Sequence, residues 1–186
     1  MSPTSEPVLV VLPTYNEAEN VGALIPEILQ AAEGRDVAVL VVDDNSTDGT
    51  DRIVAALAER DSRVRLLSRP GKNGLGTAYV AGFRYALEHG FALAVSMDAD
   101  FSHSPAHLPA VLDAAAEADV VIGSRYTEGG GISNWPLHRR LLSWGANLLA
   151  HIVLRVRSRD CTSGYRAYHR EILERMDFDA IRSDGY

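Results

Sequence analysis

The chain has 186 residues, with 18 Lys+Arg against 25 Asp+Glu, a formal charge of −7, 46% hydrophobic and 23% charged content. Those are the proportions of an ordinary globular domain with one sizeable core, and two full domains would be cramped at this length. The acidic balance excludes a protein built to coat nucleic acid, and the single cysteine, Cys161, excludes an internal disulfide or a cysteine-rich zinc site.

The first residues, 1–7, lack the basic n-region of a signal peptide and are expected as a disordered tail. Val8–Leu12 and Val37–Val42 are continuous apolar, β-branched runs, the pattern of strands buried on both faces of a parallel sheet. Between them a helix is predicted. Asn16 caps it with Glu19 three residues on, Val21, Leu24, Ile25, Ile28 and Leu29 form its apolar stripe, and Gly34 stops it. Strand, helix and strand make a βαβ unit. The alternation continues with a helix over Thr50–Arg60, a strand over Val64–Leu67, a Gly71–Gly76 loop and a helix over Thr77–His89. Then come a strand over Phe91–Met97, a helix over Pro105–Ala118 and a strand over Val120–Gly123. Glu128–Trp135 is predicted as a loop, Leu137–Val156 as a long helix with an Arg/His face and Arg170–Met176 as a short helix. No window reaches the roughly 18–20 apolar residues of a membrane-spanning helix. The fold class is α/β, doubly wound, with a mostly parallel sheet. Without repeats or linkers, residues 1–186 read as a single domain, and the abrupt end after Arg182 suggests that its C-terminal part is missing.

Charge is spread unevenly. Ten acids and one base, Arg35, lie between Met1 and Asp51, whereas Leu137 to Arg159 holds five arginines and no acid. This suggests a cation site in one half and an anionic partner for the other, or simply two solvated faces.

In open parallel sheets ligands bind beyond the carboxyl ends of the strands. The segments there are Pro13-Thr14-Tyr15-Asn16-Glu17, Asp43-Asp44-Asn45-Ser46, Asp98-Ala99-Asp100 and Ser124-Arg125-Tyr126. Three of the four carry carboxylates, which repel one another unless a cation or base neutralises them. Asp98 and Asp100 are the sharpest pair, because residues i and i+2 of extended backbone point to one side and could address one hard divalent ion. Short acidic tripeptides are also frequent in loops; the position straight after a buried strand favours function. The glycine-rich Gly71–Gly76 loop is no GxxxxGK[ST], and the Pro13–Asn16 turn after the first strand lacks GxGxxG; the Gly71–Gly76 loop is either an anion-facing loop or one that needs positive φ angles. No GxSxG elbow or HExxH zinc motif occurs, and the six histidines show no ligand spacing.

Pro13–Glu17, Val41–Thr50 and Met97–Asp100 resemble the inverting family-two glycosyltransferases of GT-A fold. Gly74-Leu75-Gly76, Gly123–Tyr126, Asn134-Trp135-Pro136, Arg139 with Arg140, and Thr162–Arg166 resemble, more narrowly, the polyprenyl-phosphate (dolichyl-phosphate) mannose synthases. The resemblance implies transfer of mannose from GDP-mannose to a polyprenyl phosphate, with inversion. It implies that Pro13, Tyr15, Glu17, Val42 and Asp44 cradle the guanosine. Asp98, Ala99, Asp100 and Ser102 would line the diphosphate and a Mg²⁺ or Mn²⁺ ion, with Asp98, Asp100 and Ser102 as metal ligands and Arg125 at the phosphates. Arg139 would hold the acceptor phosphate, and Asp100, Arg125 and Arg139 would be catalytic. Some members carry glutamine where this chain has Ser102. The family's further basic residues for the donor phosphates have no counterpart before Tyr186. The implied partners are GDP-mannose, the lipid phosphate and a membrane surface, with the protein peripheral on the cytoplasmic face and no nucleic acid involved. The Leu137–Val156 helix then faces lipid, or else packs on the sheet through its leucines. A related enzyme using a UDP-sugar, and a nucleotide-binding module without turnover, are the competing expectations.

Overall fold

The computed structural model describes residues 6–72, 74–124, 160 and 162–181. Strand β1 (Val8–Thr14) is buried at all seven positions, as is β2 (Val37–Asp43), which pairs with it in parallel from Val8↔Val37 to Thr14↔Asp43. Uninterrupted apolar character is what a strand with helices on both faces requires. Beyond β2 lies β3 (Val64–Ser68), and on the other side of β1 lies β4 (Leu93–Ser96), both parallel to their neighbours. The sheet is completed by β5 (Val120–Ile122) and β6 (Arg166–His169), in the order β3-β2-β1-β4-β6-β5.

Alternate residues of β1 feed two cores. Val8, Val10 and Leu12 pack with α1 (Ala18–Ala31), α2 (Thr50–Ala58) and α4 (Leu108–Ala115) through Leu24, Ile25, Ile28, Val54, Leu108 and Leu112. Leu9 and Val11 pack on the opposite face with α3 (Leu75–Glu88) and α5 (Arg170–Arg175) through Ala78, Phe83, Ala86 and Leu173. Helices on both faces of a mostly parallel sheet make the doubly wound α/β arrangement that the strand pattern predicts. Chain order reverses between β1 and β4, so the crevice for a ligand opens at their carboxyl ends.

Three local expectations change. Asn16 does not cap α1: it sits two residues before the helix with φ of 59°, in the left-handed region. The helix over Pro105–Ala118 is a 3₁₀ turn (Pro105–His107) followed by the shorter α4. Strand β6 was not predicted at all. It inserts antiparallel between β4 and β5, and a four-residue strand paired on both sides needs little intrinsic propensity or alternation of its own. The predicted Glu128–Trp135 loop, the Leu137–Val156 helix, Cys161 and the ends of the chain (1–5 and 182–186) lie outside the described residues.

Helix α3 lies hard against β1 at one point. A Cβ on Gly82 would stand 2.2 Å from Cγ1 of Val11, which sits fully buried in the middle of the sheet. Neither a β-branched side chain nor a central strand gives way easily. Gly82→Ala is therefore expected to destabilise the fold by about 1–3 kcal/mol, read as a lower urea midpoint with an unchanged m-value.

Candidate functional site

The two loops that follow β1 and β2 are built as one unit. Asp43, at the end of β2, accepts hydrogen bonds from the Thr14 hydroxyl at 2.8 Å, the Ser46 amide at 2.9 Å and the Ser46 hydroxyl at 2.6 Å. The Asn16 amide donates to Ser46 Oγ at 2.9 Å, and Asn16 Oδ1 in turn accepts from the Thr47 amide at 2.9 Å. The start of α1 is satisfied from the neighbouring loop. The Ala18 amide donates to Asp48 Oδ2 and the Glu17 amide to Thr50 Oγ1, each at 2.9 Å. Capping thus comes from a residue 30 positions away, which a local reading of Asn16 and Glu19 cannot reveal. Burial pushes the Asp48 carboxyl up, but hydrogen bonds from the Thr50 hydroxyl and from the Ala18 and Thr50 amides outweigh this and leave it below the ordinary aspartate range.

Asp44 is fully buried. Its Oδ1 lies 3.1 Å from Nε of Arg69, which is 12% exposed, and its amide donates to the Thr14 carbonyl at 3.0 Å. A buried carboxylate needs such a partner, since desolvation otherwise costs several kcal/mol. Arg69 is in turn held by the Thr77 hydroxyl at 2.7 Å. Pro13 and Val42 are buried beneath the same loops, while Tyr15 and Glu17 are half-buried at their rim. The Lys72 ammonium lies 4.1 Å from the centroid of the Tyr15 ring, so the Gly71–Gly76 loop delivers a cation to the mouth of the crevice.

Asp98 and Asp100 follow β4 on the far side of the crevice. Asp98 is half-buried, Ala99 buried, and Asp100 and Ser102 exposed. The chain turns back at Phe101, whose φ of 59° is an unusual conformation for a bulky residue. That turn lets the Ser102 amide donate to Asp100 Oδ1 at 2.9 Å and sets His103 Nδ1 3.0 Å from the Asp98 amide, from which it accepts. An Nδ1 that accepts leaves the imidazole proton on Nε2. Burial raises the Asp100 carboxyl, and hydrogen bonds from the Ser102 hydroxyl and amide more than offset it, so it ionises below its ordinary range. Among the described residues no three His, Cys, Asp or Glu side chains converge as a metal cage. Two carboxylates and a hydroxyl are nevertheless the hard oxygen set of a divalent ion that draws its remaining ligands from phosphates and water. The residues present fit such an ion.

The segment Thr162–Arg166 crosses beside this pair. The Ser96 hydroxyl donates to the Gly164 carbonyl at 2.7 Å, and the Tyr165 ring stacks on His103 at 5.2 Å between centroids. The Tyr165 hydroxyl is buried with no hydrogen-bond partner among the described residues, and burial raises its pKa. The structure therefore brings together Pro13, Tyr15, Glu17, Val42 and Asp44 on one side of the crevice and Asp98, Ala99, Asp100 and Ser102 on the other. Arg125 and Arg139 lie outside the described residues. Arg69, Tyr79, His103 and Gly164 escaped the sequence reading. The only signal for Tyr79 and Gly164 was their presence in or beside segments that carried the family resemblance.

A doubly wound sheet that presents carboxylates on both sides of its switch point is the frame of a site for a cation and an anionic ligand. The chain belongs to glycosyl transferase family 2, whose pattern it matches over residues 9–177. It is 46% identical over 179 residues to an undecaprenyl-phosphate mannosyltransferase of Micrococcus luteus, covering 96% of this chain and 73% of that protein. It is 47% identical over 180 residues to a polyprenol monophosphomannose synthase of Mycolicibacterium smegmatis, covering 96% and 67%. A dolichol-phosphate mannosyltransferase of Pyrococcus furiosus is 37% identical over 177 residues, which are 94% of this chain and 49% of that one. Among solved structures, mannosyl-3-phosphoglycerate synthase from Rubrobacter xylanophilus superposes with a TM-score of 0.67 at 24% identity, covering 90% of this chain and 54% of its own. A Pyrobaculum calidifontis mannosyltransferase solved with GDP-Man and Mn²⁺ gives 0.61 at 24%, covering 93% and 47%. At that identity the likeness carries the fold.

The shared loop network yields a pH-dependent expectation. Asp48→Ala removes the cap of α1 and should cost about 1 kcal/mol of stability. Because the folded-state pKa of Asp48 is lowered, that difference is full above the ordinary aspartate value near 3.8 and fades as pH falls through the folded value. Urea titrations of both proteins between pH 7 and pH 3 check it: the gap between their midpoints should close only at the acid end.

Proposed function

We propose that this chain transfers mannose from GDP-mannose to a polyprenyl phosphate with inversion, giving a polyprenyl β-mannosyl phosphate, and that residues 1–186 belong to a single catalytic domain. The observation that carries the reading is the pair Asp98 and Asp100 after β4, on the other side of β1 from the buried Asp44 that follows β2. The mannosyltransferase names of the relatives point the same way. In this reading Pro13, Tyr15, Glu17, Val42 and Asp44 hold the guanosine, and Asp98, Ala99, Asp100, Ser102 and Arg125 line the diphosphate. Asp98, Asp100 and Ser102 hold a Mg²⁺ or Mn²⁺ ion, which when bound neutralises charge developing on the departing diphosphate.

A phosphate monoester has a second pKa of about 6, so the acceptor is already an anionic nucleophile at neutral pH and requires no side-chain base. Its oxygen attacks C1 of the mannose, the bond from C1 to the GDP oxygen breaks, and GDP leaves with the electron pair. The protein must hold two anions together while this happens. Arg125 at the donor phosphates and Arg139 at the acceptor phosphate supply that charge. The acid-free stretch 137–159 also suits the anionic headgroups of a membrane surface. Among the described residues no helix is long and apolar enough to cross a membrane. On the charge of that stretch we read the protein as peripheral, on the cytoplasmic face, where a lone cysteine is at home.

Calorimetry tests the donor half. GDP-mannose should bind tightly with Mn²⁺ and weakly with EDTA or in Asp100→Asn, and UDP-glucose should bind poorly throughout. Equal affinity in all three GDP-mannose titrations would remove the metal role, and a preference for UDP-glucose would replace the donor. The acceptor half rests on Arg139→Ala in the full-length protein. Losing one charge-assisted contact costs about 1.5–3 kcal/mol, which should appear as a raised acceptor KM or a lowered kcat while GDP-mannose affinity is preserved. A main effect on donor binding would reassign Arg139.

A further inference from the structure

A half-exposed carboxylate at the end of a strand is free to rotate unless something fixes it, and each rotamer available to a free metal ligand weakens the site. Asp98 is fixed from two sides. The Tyr79 hydroxyl donates to Asp98 Oδ1 at 2.6 Å, within the range of short bonds from a hydroxyl to a carboxylate oxygen. Tyr79 reaches it from α3, one turn before Gly82, where the missing side chain lets the helix close onto β1. On the other side stands Gly164. A Cβ there would lie 3.3 Å from both carboxylate oxygens of Asp98 and 3.2 Å from Cε1 of His103. The φ of Gly164 is not in the left-handed region, so close approach to the carboxylate is what calls for glycine here. The turn cannot retreat easily, because its carbonyl is held by Ser96.

We propose that Tyr79 is a positioning residue for the metal: by occupying Oδ1 it turns Oδ2 of Asp98 toward the cation, with Gly164 closing the alternative rotamers. The proposal rests on the reading that Asp98 is a metal ligand. Tyr79 touches neither metal nor substrate. The phenol supplies orientation, as hydrogen-bonded partners of ligating groups do elsewhere, where their loss costs about 10–100-fold in metal affinity.

The test titrates Mn²⁺ into the full chain in the presence of GDP, following the electron paramagnetic resonance signal of free Mn²⁺. Wild type, Tyr79→Phe, Gly164→Ala and Asp98→Asn are compared, with GDP affinity in EDTA and melting temperature measured alongside. Tyr79→Phe should raise the Mn²⁺ Kd about tenfold, with metal-free GDP affinity and melting temperature unmoved. Asp98→Asn should abolish binding. A wild-type Kd in Tyr79→Phe, with binding lost in Asp98→Asn, overturns the positioning role and leaves the metal reading intact. Wild-type binding in Asp98→Asn overturns the metal reading, and this proposal with it. If Tyr79→Phe melts early, Gly164→Ala decides: it presses on the same carboxylate with Tyr79 in place, and an unchanged Mn²⁺ Kd there overturns the proposal.

Discussion

Carboxylates at the carboxyl end of a parallel sheet lose their water, and each must then be met by donors or by positive charge. Asp43, at the tip of β2, and Asp44 beside it are both essentially inaccessible, and two adjacent buried acids would drive the loops apart if left alone. Asp43 is met by hydroxyl and amide donors from Thr14 and Ser46, and Asp44 by the Arg69 guanidinium. Because those partners come from β1, the β2–α2 loop and the end of β3, satisfying two carboxylates ties three consecutive crossovers together. The same lacing supplies the cap of α1 from Asp48 and Thr50. One side of the crevice is therefore laced together by the protein's own contacts.

The other side is made differently. Asp98 and Asp100 stay accessible, and their order comes from a turn at Phe101 that places a bulky residue at positive φ. Backbone strain of that kind is held in place by its surroundings. Here those are the Ser102 amide on Asp100, the Asp98 amide on His103, and the Tyr165 ring stacked on the imidazole. The contrast suits the proposed division of the site, with the nucleoside on one wall and the charged diphosphate on the other.

Two glycines connect the scaffold to this chemistry. Gly82 sets how closely α3 lies on β1, and so how far Tyr79 reaches across to Asp98. Gly164 sets how closely the strand-β6 approach passes the same carboxylate. In both places an absent side chain lets backbone come near: the Tyr79 bond to Asp98 lies one turn from Gly82, and the Gly164 carbonyl accepts from Ser96.

Much of this was legible in the residues themselves. Continuous β-branched runs, a helical apolar stripe and the position of acids after strands are local patterns, and local patterns determine strands, helices and which residues stand at the sheet's carboxyl edge. The doubly wound class and the place of Asp98 and Asp100 just after β4 followed from them. What only the tertiary structure decided were contacts between distant segments. Asn16 has the composition of a cap, yet Asp48 from the next loop takes that place, because the two loops are held side by side by Asp43. Strand β6 carries no strand pattern, and its identity comes from lying between β4 and β5. Tyr79, Arg69 and Gly164 look like a helix aromatic, a loop cation and a turn glycine. Their meaning depends on distances across the sheet, which arise only when the two cores have packed.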